Sequence, residues 1–484
     1  MTAPYVLASC LLLAPLLSAP AASAQAPVAT PVAAPEPAPP LSPAHFAGVR
    51  QRIRDAVGDG IVLLLGARKA VDMGPFVQDQ DFLYATGIGQ PELAMILTAG
   101  AASPDGDDVD ELLVPPFSRF AATWEGEFLA PGEAAAEQTG FGTVGNVRGL
   151  ERRLDALLGG AAEDGRSGAQ RPVLWTRLAP SAPIGSTPGH ADSVATAQKR
   201  DRMDGRGTRE EALQAWLQQR YPGLEVRDLT PVLHRLRAHK TPAELELLRA
   251  STEIACAGIA EAMKSARPGL YEFQLAAVAR YVFSLHGAGP DAYGAIVGAG
   301  KNACVLHYMQ NSARLEDGDL IVMDYAATVR GFASDVTRTF PANGRFTDAQ
   351  RRLVNDVHDV QQALLAQVKP GARLSELGGL CAKLLVDKGY RSDHGPSHHV
   401  GLAVHDPSVD VLEPGMVLTV EPGAYLRDEG MGCRIEDTVV VTETGFVNLS
   451  AALPSTPDEI EALMQRAGIV DVPVGLPPLP EQPR

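Results

Sequence analysis

Cysteine is scarce in this chain, with five residues in 484. Four of them, Cys256, Cys304, Cys381 and Cys433, lie beyond residue 24, and their spacings match neither a zinc site nor a redox pair. Buried free thiols are expected, with a Cys304–Cys433 bridge left open by an exporting route. Basic charge is short as well. Lys and Arg total 42 against 58 Asp and Glu, a formal net charge of −16. No basic stripe is available to neutralise phosphates, which argues against a nucleic-acid partner. The apolar run from Val6 to Leu17 is too short to span a bilayer. It has no Lys or Arg ahead of it, and Ala22-Ser23-Ala24 follows as a small-x-small pattern. Residues 1–24 therefore read as a signal peptide, and a periplasmic or secreted location is expected. Residues 25–42, almost all Ala, Pro, Val and Thr, read as an extended linker, and 466–484 as a Pro-rich tail.

The remaining length is enough for two domains with cores of their own. Hydrophobic residues make up 45% and charged residues 21%, a globular balance. Up to about residue 235 the pattern mixes short buried strands (Ile61–Leu65, Leu112–Val114) with a helix over Arg148–Leu158. Residues 160–210 read as loops. Thr241-Pro242-Ala243-Glu244 is a capping box with proline at the first helical position, and predicts a helix to about Ser265. The fold class expected is α/β (α+β), with an N-terminal domain over 43–235 and a second over 236–465. Within the second, Arg267-Pro268-Gly269 recurs as Lys369-Pro370-Gly371. Each copy precedes a helical pattern ending at glycine, Gly287 and Gly389. Two related αβ halves with a cleft between them are expected.

The chemistry gathers in that second domain. Gly318–Ala326 and Phe332–Phe340 read as two strands. A hairpin closed over Thr328–Gly331 would set Asp324 opposite Asp335. Two carboxylates side by side on a buried sheet repel unless a cation holds them. His394 and His398-His399 follow, then His405-Asp406. Glu421 ends the strand Val417–Val420, and Arg434 and Glu436 share a face at the start of another. Four carboxylates and one imidazole form a hard, oxygen-rich set. It suits two divalent ions, Mn²⁺ first, with Co²⁺, Fe²⁺ or Zn²⁺ by availability, and such pairs support hydrolysis.

In order and local context, Asp324, Asp335, His398, Glu421 and Glu436 resemble the ligand signature of the pita-bread metallopeptidases. That family includes methionine aminopeptidase, prolidase and aminopeptidase P, and the resemblance covers about 235–465. It implies a dinuclear metal-dependent peptidase with these five residues as ligands. Within the family, His307, His394 and His405 resemble the substrate-site histidines of the proline-directed branch, and Arg434 its arginine beside the last ligand. Gln78–Gly87, Trp124-Glu125-Gly126 and Pro457–Met464 resemble aminopeptidase P specifically. The resemblance thus implies hydrolysis of the Xaa-Pro bond at peptide N-termini. His307 and His405 would stabilise the carbonyl, and Glu421 would carry a proton. Proline-containing peptides are the implied partners, and a homodimer or homotetramer the implied assembly. Family spacing to Gly401 selects His398 over His399 as the ligand. The short stretch from Glu421 to Glu436 is similar to many prolidases, which leaves a dipeptide-limited enzyme as the alternative. A creatinase-type hydrolase lacks these ligands, and a non-catalytic module on the same fold would bind no metal.

Overall fold

The computed structural model describes residues 38–69, 76–99, 108–159, 172–391 and 393–471. The expected signal peptide, most of the linker and most of the tail lie outside these residues. No helix among the described residues is long and apolar enough to cross a membrane.

The apolar run at 60–65 explains the first sheet. Strand β1 (Gly60–Leu65) lies between β2 (Ala94–Ala99), antiparallel to it, and the short parallel β5 (Leu174–Thr176). Strands β3 (Asp110–Val114) and β4 (Thr143–Asn146) extend one side, and β6 (Val226–Asp228) the other, in the order β4-β3-β2-β1-β5-β6. Alternate residues of β1 serve two cores. Val62 and Leu64 pack with Val49 and Ile53 of the helix Pro43–Val57. Ile61 and Leu63 pack with Leu154, Leu157 and Leu217 on the opposite face. A sheet covered on both faces needs continuous rather than alternating apolar residues, which is what this run provides.

The helix predicted after Thr241 runs Pro242–Ser265, with the Thr241–Glu244 capping box formed. Residue 235 lies inside the helix Thr230–Ala238. Leu233 of that helix joins the first core, which also takes in Leu247, Val329, Val400 and Val417 from the second half. The described residues, 38–471, form one compact unit. The echo in the sequence has a structural counterpart. The helices Glu272–Leu285 and Leu374–Asp387 each follow a turn with a left-handed glycine, Gly269 or Gly371. Each is followed by another, Gly287 or Gly389. One half carries the sheet β11-β8-β7, built from β7 (Ile296–Ala299), β8 (Leu320–Asp324) and β11 (Thr337–Pro341). The other carries β12-β15-β16, built from β12 (Val417–Val420), β15 (Asp437–Val441) and β16 (Phe446–Asn448). A bridge between Thr337 and Glu436 joins them.

Four expectations need correction or completion. Residues 160–210 are not all loop, since the helix Pro188–Arg200 lies there, capped by Thr187. Only Ala191 of it is buried, so it has no apolar stripe to betray it. The two strands expected around the hairpin are each interrupted, by Tyr325–Ala327 and Ser334–Val336, and the short β9 (Thr328–Val329) and β10 (Phe332–Ala333) form its tip. The register also differs by two. Val329 pairs with Phe332, so the turn is Arg330-Gly331, and Asp324 faces Thr337 rather than Asp335. Arg330 and Gly331 have φ of 52° and 88°. A two-residue hairpin of this kind needs both central residues left-handed, which the β-branched Val329 of the expected Val329-Arg330 turn resists. A Cβ at Gly331 would also lie 2.7 Å from Leu83 Cδ2. Gly331→Ala is therefore expected to lower stability by about 1 kcal/mol or more, read as a shift in the urea unfolding midpoint. Finally, Cys256, Cys304, Cys381 and Cys433 are buried free thiols, so no Cys304–Cys433 bridge forms.

Candidate metal centre

An even shift of register keeps strand parity, so Asp324 and Asp335 still meet. Asp335 lies one diagonal step from Asp324, in the break between β10 and β11. The hydroxyl of Tyr293 sits between the two, donating to Asp324 Oδ1 and lying 2.5 Å from Asp335 Oδ1. Glu436 enters from the other half. Its N–H donates to the Thr337 carbonyl at 3.1 Å, and its Oε2 accepts from Thr337 Oγ1 at 2.6 Å. Arg338 secures the same backbone, donating to the Glu436 carbonyl at 2.6 Å and to Asp437 at 2.8 Å. The segment before His398 runs beside β12, with Glu421 N–H donating to the Pro396 carbonyl and Thr419 N–H to that of His398. His398 Nε2 is thereby placed 3.3 Å from Asp335 Oδ2 and 3.2 Å from Glu421 Oε1. His399 points the other way, fully buried, with Nε2 2.9 Å from the Val409 carbonyl.

Asp335, His398 and Glu436 each present a ligand atom within 4.8 Å of the others. The electrostatics fit a site for a cation. Burial, and next the Asp324 charge, push the Asp335 carboxyl up to about 7. Burial and the neighbouring carboxylates push Glu436 well above its ordinary range. Burial also works against Glu421, but the hydrogen bond and charge of His398 hold it down at about 2. His398 is in turn held well above an ordinary imidazole, against the pull of burial, by Asp335 and Glu421. Glu436 Oε1 is buried without a hydrogen-bond partner. Crowded, partnerless carboxylate oxygens of this kind are what a divalent ion would satisfy.

A pH experiment on metal-free protein checks this. A carboxyl raised on folding contributes stability that is complete below its unfolded value, about 4, and is lost as the pH rises through the folded one. An amide does not titrate. The thermal midpoint of Asp335→Asn relative to wild type is therefore expected to rise as the pH goes from about 5 to about 8. A difference that stays constant over that range would show that Asp335 is not held protonated.

The remaining predicted residues surround this cluster. The His405 ring lies 4.3 Å from that of His398. Burial, then the His398 charge, lower its pKa to about 4, so it is neutral at pH 7. His394 Nε2 lies 2.9 Å from the Tyr425 hydroxyl, and its Nδ1 4.0 Å from Glu421. Arg434 donates to Tyr425 at 3.0 Å and pairs with Asp324 Oδ2 at 2.6 Å. His307 is the outlier. It is exposed, on the turn after the short helix Gly300–Cys304. Tyr293, Thr337 and Tyr425 escaped the sequence reading. Correct hairpin register alone would have placed Thr337 beside Asp324, whereas nothing local marks either tyrosine.

A set of buried and half-buried carboxylates and imidazoles on two facing αβ halves defines a metal-dependent hydrolase. The comparisons make the class specific. Metallopeptidase family M24 matches residues 246–443, and the N-terminal domain of aminopeptidase P matches 46–164. In an alignment 466 residues long that covers 88% of this chain and 99% of the other, the chain is 32% identical to the Xaa-Pro aminopeptidase of Escherichia coli. A structure of the E. coli aminopeptidase P with the inhibitor Pro-Leu superposes with a TM-score of 0.73 at 31% identity, covering 88% of this chain and 99% of the other. The mitochondrial intermediate cleaving peptidase 55 of Arabidopsis thaliana is 36% identical over 265 residues, half of this chain and 54% of that one. The chain belongs to the aminopeptidase P group of metallopeptidase family M24, and is a metallo-aminopeptidase of the pita-bread fold.

Proposed function

We propose that this enzyme releases the residue preceding proline from peptide N-termini, using two divalent ions held by Asp324, Asp335, His398, Glu421 and Glu436. Mn²⁺ is the first expectation for this oxygen-rich set, with Co²⁺ or Zn²⁺ as substitutes. The observation that carries the reading is the group formed by the buried Asp335 and Glu436 with the half-buried His398, in a chain matched over 88% of its length by an Xaa-Pro aminopeptidase. When bound, the ions would supply a water of lowered pKa and polarise the scissile carbonyl.

The residues of the chain do the rest. His405, kept neutral by burial, can donate a ring N–H to the carbonyl oxygen, with His307 at the rim of the same site. Glu421, ionised and beside His398, can accept the proton of the attacking water and return it to the leaving nitrogen. That nitrogen belongs to proline, so it has no N–H and must be protonated to leave. Arg434 holds Asp324 in place, and His394 with Tyr425 closes the wall beside it. Export by the N-terminal segment and a homodimeric or homotetrameric assembly belong to the same proposal. They rest on the leader-like sequence and on the resemblance.

The test uses purified, Mn²⁺-supplemented protein. Release of the first residue from Xaa-Pro-Yaa-Zaa peptides is expected, with little from peptides lacking proline. Equal rates on both would remove the proline specificity. Hydrolysis of Xaa-Pro dipeptides alone would favour the prolidase reading instead.

A further inference from the structure

A second cluster of charged side chains stands next to the site without belonging to it. Arg177 lies 3.7 Å from Asp81, which accepts from Arg237 Nη1 at 2.7 Å. Arg237 Nη2 donates to Asp406, and Lys240 Nζ donates to the other Asp406 oxygen at 3.0 Å. All five side chains are buried. The row runs from the helix Gln80–Thr86 beside the first sheet to the residue directly after His405. Arg177, Asp81, Arg237 and His405 border a single cavity.

Asp406 organises the loop that bears His405. Its Oδ1 accepts from the Ala403 N–H at 3.3 Å, and its own N–H donates to the His399 carbonyl at 2.9 Å. The Gly401 N–H closes the loop onto the Ala403 carbonyl at 3.0 Å. A Cβ on Gly401 would lie 2.3 Å from Asp406 Oδ2 and 3.0 Å from Lys240 Cε. Glycine is needed here because the Asp406–Lys240 bridge occupies the space of a side chain. With that bridge made, the His405 ring rests 4.3 Å from His398.

Buried ion pairs contribute little net stability compared with apolar residues of the same volume. Their strength is in fixing geometry. We infer that Arg237 and Lys240 are positioning residues, which clamp Asp406 from beneath the loop and so set the His405 imidazole against the substrate carbonyl. The inference rests on His405 acting at that carbonyl.

A double-mutant cycle on the full-length, metal-loaded enzyme tests it, with an Xaa-Pro-Yaa tripeptide as substrate. Arg237→Gln leaves Asp406 with Lys240 and Asp81 with Arg177, so neither carboxylate is stranded. It is expected to lower kcat about tenfold or more, because small misplacements of a reacting group are costly, with KM and bound metal unchanged. Arg237→Lys is expected to recover most of that loss. Added to His405→Ala, Arg237→Gln is expected to cost nothing further. A folded Arg237→Gln with full kcat, or an equal loss in both backgrounds, would overturn the inference. Lys240→Met carries the same cycle if Arg237→Gln does not fold. Full activity of His405→Ala by itself would overturn the reading of His405, and this inference with it, while leaving the metal centre untouched.

Discussion

Asp335→Ala is expected to leave the protein folded but without its metal complement, and to lower kcat/KM by more than about a hundredfold. Removing a mere outer partner of a metal ligand costs roughly 10–100-fold, and Asp335 is placed at the centre of the set rather than outside it. It shares Tyr293 with Asp324, meets His398 at 3.3 Å and belongs to the group with Glu436. Losing it removes the carboxylate that lies beside Asp324 and meets His398 directly. Metal analysis and steady-state rates on the same sample check the prediction. Full metal content with full activity would show that the ligand set is misassigned.

Glu421→Gln is expected to behave differently. The amide keeps an oxygen toward His398 and retains the shape of the side chain, but cannot take up a proton. We expect kcat to fall by about 10²–10⁴, the range for loss of a general acid–base group, with KM nearly unchanged and most of the metal retained. The contrast between the two variants is the informative part. Asp335→Ala should lose metal and activity together, whereas Glu421→Gln should lose activity while metal remains. If Glu421→Gln also empties the site, the side chain is a ligand first and its proton-carrying role is unsupported. If it retains normal kcat, another group moves the proton.

How much of this was legible beforehand varies by residue. Glu421 and Glu436 stood at strand boundaries that local patterning marks well, and the strands β12 and β15 formed where expected. Asp324 and Asp335 were paired by assuming the centre of a turn. The centre lies one position further along the chain, and the two acids still meet because a shift of two preserves which face a side chain takes. A shift of one would have undone it. His398 and His399 were harder, because neighbours in an extended segment point to opposite sides. Sequence spacing to Gly401 chose between them, and the structure gives the spacing a reason, since Gly401 leaves room for the Asp406–Lys240 bridge beside the loop. Tyr293 was not legible at all. It reaches Asp324 and Asp335 from 31 and 42 residues away through an irregular segment, and no period or motif reports such a contact.

By itself the sequence determined the kinds of group available and their order. It also determined the local elements whose signals are short-range: the capping box at Thr241, the glycine-closed helices and the apolar strands of the first sheet. Only the tertiary structure decided which acids share a site and in what state. Burial is a property of the closed core, not of any residue alone. It is burial, with the approach of Asp324, that drives Asp335 up, and the approach of His398 that draws Glu421 down. The same four carboxylates on an open chain would be ordinary solvated acids. Brought together out of water, they form a set that a pair of divalent ions can satisfy.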